Sequence, residues 1–341
     1  MIWSRLYKLK ASARQVMNLF FKSYRFYFIF FLFVACQTAV AKGASNDNPQ
    51  FFVPRILPFD VPSYFQKNPN VSLLQDRSGR LFMGKGNGIY VIDGTNHTHL
   101  PMKGPVYLTQ CENGKIYYVS ENDFGRVTYD PWKGLHKQSL MDRVHTPYQY
   151  FFPYGISCFK DQVFFATSEG IYVYHNDNAR RFTFERDRVS IFNTGKNLYI
   201  ASPGAELHYW DGEEFRKLLP KDKSGAPHII EIIDREGFSE VFLSHGRKIR
   251  LEDIGKERPA YMATSYTPGN LRSLRRLSDS LFAGVDMENQ VLILRPDGAV
   301  VNNLSASGVL PGLSPTCIIP DPPGAFWLVY KFGIFRVNYP S

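Results

Sequence analysis

Two stretches hold the side chains best suited to gripping a ligand. Tyr148, Tyr150, Phe152 and Tyr154 cluster ahead of one apolar segment, and Arg272 and Arg275 lie near another. Aromatic faces and guanidinium groups converging on one point suit a sugar or an anionic metabolite. The plainer alternative is that the aromatics pack inside the fold and the arginines are solvated. These six are the candidate ligand-binding residues.

Other chemistry is poorly represented. Asp123, Glu206, Asp234 and Asp286 fall in loops and could serve an acid–base reaction, but Asp-rich turns are also what hairpins need. His97 and His99 would share one face of a strand, and two ligands do not make a metal site. Neither a GxSxG elbow nor a phosphate-binding loop occurs. Gly84-Lys85-Gly86-Asn87-Gly88 looks phosphate-like, yet it joins two strands where a phosphate loop would open a helix, so it reads as a turn. The expectation is therefore a binding protein with no catalytic residues, no metal and no cofactor.

The elements that must position these residues are short strands. Leu81-Phe82-Met83 follows a Ser-Gly turn, Ile89 to Ile92 form a second apolar run, and Asp93-Gly94 closes it. Asp-Gly and Asn-Gly pairs supply the positive φ that tight hairpins require. The unit recurs, with Ile89, Val127, Ile171, Leu207, Ile249, Val291 and Ile334 as equivalent positions separated by 38, 44, 36, 42, 42 and 43 residues. Several strands per repeat at this period signify a β-propeller blade. The fold expected is all-β: a seven-bladed propeller of four-stranded antiparallel blades over residues 51–341. A terminal strand, from Phe51–Phe65 or Val71–Leu74, should close the ring and remove its open edges. Tyr129–Ser157 and Leu251–Arg276 read as long connections, and loops longer than a fold demands are often functional. Blades three and six lie nearly opposite in a ring of seven, so both candidate clusters could face the central funnel.

Composition narrows the partners. Aromatics form 15% of the chain, which suits the packing of stacked blades. The formal charge is +9, but residues 1–41 hold six basic residues and no acid, so the remainder carries 34 basic against 31 acidic residues, or +3. That body lacks the basic stripe of a nucleic-acid surface. Cys111, Cys158 and Cys317 read as small buried hydrophobes, with a Cys111–Cys158 bridge between neighbouring blades as the alternative in an oxidising compartment.

The N-terminal segment points to export. A basic lead is followed by the apolar run Phe26–Cys36 and then Ala39-Val40-Ala41, the order of a secretory signal peptide. Cleavage after Ala41 is expected, with a lipidated Cys36 or an uncleaved anchor as alternatives that would tie the chain to a membrane. Residues 42–50 read as a linker, and the destination is the periplasm or the medium.

The repeats resemble the two-component regulator propeller repeat. Leu73 through Gly84, followed by Gly88-Ile89 and Asp93-Gly94, carries the resemblance best. Phe165-Ala166-Thr167-Ser168-Glu169-Gly170-Ile171 and Pro323 through Trp327 with Gly333-Ile334 also match, and the other blades match loosely. The resemblance implies the periplasmic sensor half of a signalling protein. Such propellers precede a triple-tyrosine sandwich, a membrane span and a kinase, cyclase or DNA-binding output. The sequence as given stops at Asn338-Tyr339-Pro340-Ser341, where that sandwich would begin. The expectation is thus a ligand-sensing propeller of a two-component-type system, without its membrane and output domains, that works with a small-molecule or glycan ligand or a membrane-bound signalling partner. The alternative is a stand-alone exported scaffold for protein or carbohydrate binding.

Overall fold

The computed structural model describes residues 54–62, 68–144, 150–184, 188–203, 206–219, 228–244, 246–252, 260–265 (backbone only), 270–321 and 324–339. The signal segment and linker expected at 1–41 and 42–50 lie outside the described residues, as does Tyr148.

Asp76 shows how the repeat makes its turns. Its carboxylate accepts from the backbone amides of Ser78 at 2.9 Å and Arg80 at 3.0 Å, while Gly79 takes φ 82°. A side chain that caps its own turn, followed by a residue free to adopt positive φ, reverses the chain in four residues. Asp130, Asp211 and Asp286 cap turns the same way. The strands between turns pair into seven four-stranded antiparallel sheets. The first strand of each blade touches the first strands of its two neighbours, and these seven inner strands close a ring.

The second strand of a blade is apolar on both sides because both sides are covered. Leu81–Lys85, Ile116–Ser120 and Leu198–Ser202 are buried along their whole length. Seven hydrophobic clusters fill the seven gaps between adjacent blades. Between blades two and three, Phe124 stacks on Phe165 at 4.4 Å and tilts against Tyr172 at 5.1 Å. Gly84 is needed where blade one meets blade two, because a Cβ there would collide with the Val106 carbonyl.

The N-terminus closes the ring. Arg55–Pro58 pairs antiparallel with the third strand of blade seven, Arg55 opposite Asn338 and Pro58 opposite Phe335. Of the two stretches proposed for closure, Phe51–Phe65 supplies the strand, and Val71–Leu74 belongs to the inner strand of blade one, Asn70–Gln75. Proline suits the outermost position, where no further strand needs its missing amide.

Register corrects the repeat alignment at two places. Ser120 opposite Asp123 and Val119 opposite Phe124 make Phe124, not Val127, the counterpart of Ile89. Phe242 opposite Lys248 puts Lys248, not Ile249, at that place in blade five. Apolar matching misses Lys248 because it is polar. The two long connections are also shorter than expected. Gly134–Ser139 is the fourth strand of blade two, Ala260–Ser265 that of blade five, and Leu271–Arg276 the inner strand of blade six. Cys111 and Cys158 are not separate buried hydrophobes. They form a disulfide across 5.3 Å between Cα atoms, joining the ends of the inner strands of blades two and three. Cys317 is the one free cysteine among the described residues.

Candidate functional site

Four of the seven inner strands carry a bulge near their start, with register shifts at Asn70/Ser72, Pro153/Gly155, Ile229/Glu231 and Leu271/Ser273. A bulge leaves one residue unpaired and re-aims its neighbours. Just past it, the residue opposite the penultimate position of the second strand recurs in every blade. Around the ring it is Ser72, Tyr107, Gly155, Ser190, Glu231, Ser273 and Cys317. Most of this tier is small or polar. None of its seven members is among the six candidates that residue types alone suggest.

The tier converges on the channel. The Tyr107 hydroxyl is pushed up mainly by burial, partly offset by Arg188, with Cys317 and Tyr154 close enough to add to the shift. Residues from blades two, three, four and seven thus lie within electrostatic reach of one another inside the ring of inner strands. The Arg188 guanidinium lies 5.9 Å from the centre of the Tyr154 ring. Arg275 Nη1 donates to Glu231 Oε2 at 3.2 Å and to the Leu274 carbonyl at 3.2 Å. Burial raises the Glu231 carboxyl above its usual range, although Arg275 and the Ile232 amide pull the other way. Burial also pushes the Cys317 thiol up to about 12, which makes it a poor nucleophile at neutral pH.

Two cavities follow this wall and share Arg275. The one at the front, where the inner strands begin, has about 430 Å³ and is lined by Arg188, Ser190, His228, Arg272 and Arg275 over Ile191, Phe192 and Ile229. The deeper one has about 360 Å³ and reaches Ser157, Glu231, Asp234 and Pro320. Both volumes lie in the range of small-molecule sites.

The structure divides the candidate residues. Arg272 and Arg275 line the front cavity, whereas Tyr154 packs on the cluster between blades three and four and meets the site only through Arg188. Arg272 Nη1 is held by Asn289 Oδ1 at 3.0 Å, a neutral partner that orients the cation without cancelling it. Tyr150 and Phe152 instead form an edge-to-face pair at 5.3 Å, exposed on the front face and outside both cavity linings. Arg188, Tyr107, Glu231 and Ser190 were missed. The signal of Tyr107, Glu231 and Ser190 is register, visible only once the blades are aligned, while Arg188 lies in the connection before its strand.

The four acids considered for catalysis are dispersed. Asp123 accepts from Tyr118, Lys137 and Ser139 within blade two. Glu206 is salt-bridged to Lys217 at 2.5 Å in blade four, and Asp286 caps a turn in blade six. Asp234 gathers four donors: Thr194 at 2.6 Å, Asn197 and Tyr199 at 2.8 Å, and Ser239 at 2.5 Å. It ties blade four to blade five. Among the described residues no three His, Cys, Asp or Glu side chains gather as a metal site.

No family model matches the chain, and no curated protein matches it in sequence. Solved structures do. A virginiamycin B lyase from Staphylococcus aureus superposes with a TM-score of 0.64 at 14% identity, over 84% of this chain and 100% of that one. The extracellular domain of a hybrid two-component system from B. thetaiotaomicron gives 0.61 at 13% identity over 84% of this chain, which spans 42% of that domain. The WD40 propeller domain of Doa1 gives 0.55 at 10% identity, over 79% of this chain and 96% of that one. An enzyme, a sensor domain and a WD40 domain thus share one architecture with this chain, which is a seven-bladed β-propeller with a cation-lined central channel.

Proposed function

We propose that the chain is an exported, non-catalytic propeller that senses a small molecule or glycan taken into the front of its channel, as part of a two-component-type signalling system. The observation that carries this reading is the pair Arg188 and Arg272 at the channel mouth, neither with a carboxylate partner among the described residues. Cations held at a concave surface beside an aromatic face are the features of a ligand site. The dispersal of the four acids supports binding over catalysis. The basic-then-apolar segment before Ala41 supports export, and the fold likeness to an extracellular sensor domain supports signalling. The test is to screen glycans and metabolites against the purified protein and against Ser190→Trp, which fills the mouth from an exposed position. Ligand responses that survive Ser190→Trp would sink the reading.

A second reading is a scaffold for a protein partner. Tyr150, Phe152, Met287, Leu313 and Phe332 are exposed in loops that reach the front face. Exposed apolar groups on one face mark contact surfaces. Under this reading Leu313→Asp and Phe332→Asp abolish association with a membrane-bound partner, and Ser190→Trp leaves it intact.

A further inference from the structure

Building on the channel reading, we propose that the ligand is a small organic dianion. Arg188 and Arg272 hold one acid group at the mouth, and Arg275 receives the other.

Charge within the cavity carries the argument. Among the described residues the front cavity is lined by three arginines and by no carboxylate. Glu231 approaches Arg275 from the deeper cavity. Glu231 and Asp234 against these three guanidiniums leave one positive charge in excess over the two cavities, and it falls at the mouth, where Arg188 and Arg272 have no carboxylate partner among the described residues. In the deeper cavity Arg276 pairs with Asp279, while Asp234 accepts from four neutral donors that orient its carboxylate and leave its charge in place. Guanidinium groups match carboxylate and phosphate geometry with paired donors. Arg272 is pre-oriented by Asn289 and Arg188 by the Tyr154 face, so little ordering is left for binding to supply.

Part of the wall beside the cations is apolar. Ile191, Phe192, Ile229 and Ile230 line the same space of about 430 Å³. Bare phosphate would leave that surface wet and the two ends of the site unbridged. An organic body between two acid groups covers the wall and reaches both ends.

The test is calorimetric titration and thermal shift of the full exported protein at low ionic strength. Succinate, adipate and galactarate serve as dianion probes, with butyrate, galactose and inorganic phosphate as comparisons. At least one dianion is expected to bind tenfold or more tightly than butyrate and phosphate. Arg188→Gln and Arg272→Gln should each weaken it at least tenfold while leaving the ligand-free melting temperature unchanged, because both side chains are exposed. Dianions no tighter than butyrate, phosphate as tight as the dianions, or full affinity in both arginine variants overturns the proposal. Neutral galactose that binds and is displaced by Ser190→Trp overturns the dianion while leaving the channel reading standing. Binding of every probe unaffected by Ser190→Trp overturns both.

Discussion

Arg275 Nη1 stands 3.2 Å from Glu231 Oε2, joining the inner strands of blades six and five at the channel wall. The pair is unequal. Glu231 is buried, whereas the Arg275 side chain is 43% exposed to the channel. Taking a carboxylate out of water costs more than one half-solvated cation returns, so its pKa rises despite the partner.

That inequality makes stability depend on pH. A carboxyl whose folded pKa exceeds its unfolded value binds more protons in the folded state. Its contribution is complete below the unfolded value of 4.5 and falls away as pH rises through the folded pKa. Melting temperature should therefore decline over that window, and Glu231→Gln should flatten the decline. A profile identical to that of the unaltered protein would refute the assignment.

Lys85 should give a slope of opposite sign at higher pH. It is 1% exposed, donates to the Asn68 carbonyl at 2.9 Å and Asn70 Oδ1 at 2.5 Å, and burial lowers it from 10.5 to about 8. Between those values the unfolded chain holds the proton that the folded chain has released, so stability rises with pH from about 8 to 10.5. Denaturant unfolding across that range checks it, and Lys85→Met should lose the rise.

Asp234 should be among the most sensitive polar positions in the fold. Its carboxylate serves donors from two blades, including the buried Tyr199. Hydrogen bonds to a charged group are worth about 1.5–3 kcal/mol each, and orphaned buried donors cost more. Asp234→Ala should destabilise by about 3 kcal/mol or more. Tyr199→Phe removes one of these bonds and should cost about 1–2 kcal/mol by the same reasoning. Urea unfolding of both variants tests the ranking.

The Cys111–Cys158 disulfide closes a loop over a sequence separation of 47. Constraining the unfolded chain to that extent contributes about 2–4 kcal/mol. Reductant should lower the melting temperature of the protein and of Cys317→Ser alike, and have no effect on Cys111→Ser. Equal sensitivity in all three would show that the bridge does not form.

Much of the architecture was legible because each blade repeats its own local physics. Asp-capped turns and apolar second strands recur around Asp76, Asp130, Asp211 and Asp286 without reference to the rest of the ring. The site was only partly legible. Arg272 and Arg275, which line the front cavity, stood out by type. Tyr150 and Phe152 had the same appeal, and the ring left them on the outer surface of the front face.

By itself the sequence determined the number of blades, the turn chemistry and the all-β class, since these depend on residues a few positions apart. Tertiary structure alone decided which stretch closes the ring, that Cys111 meets Cys158, and that Tyr107, Arg188, Glu231 and Cys317 share one channel. Those relationships join residues from different blades. A one-residue bulge in an inner strand shifts which side chain faces the axis, and that shift leaves no mark in composition or period.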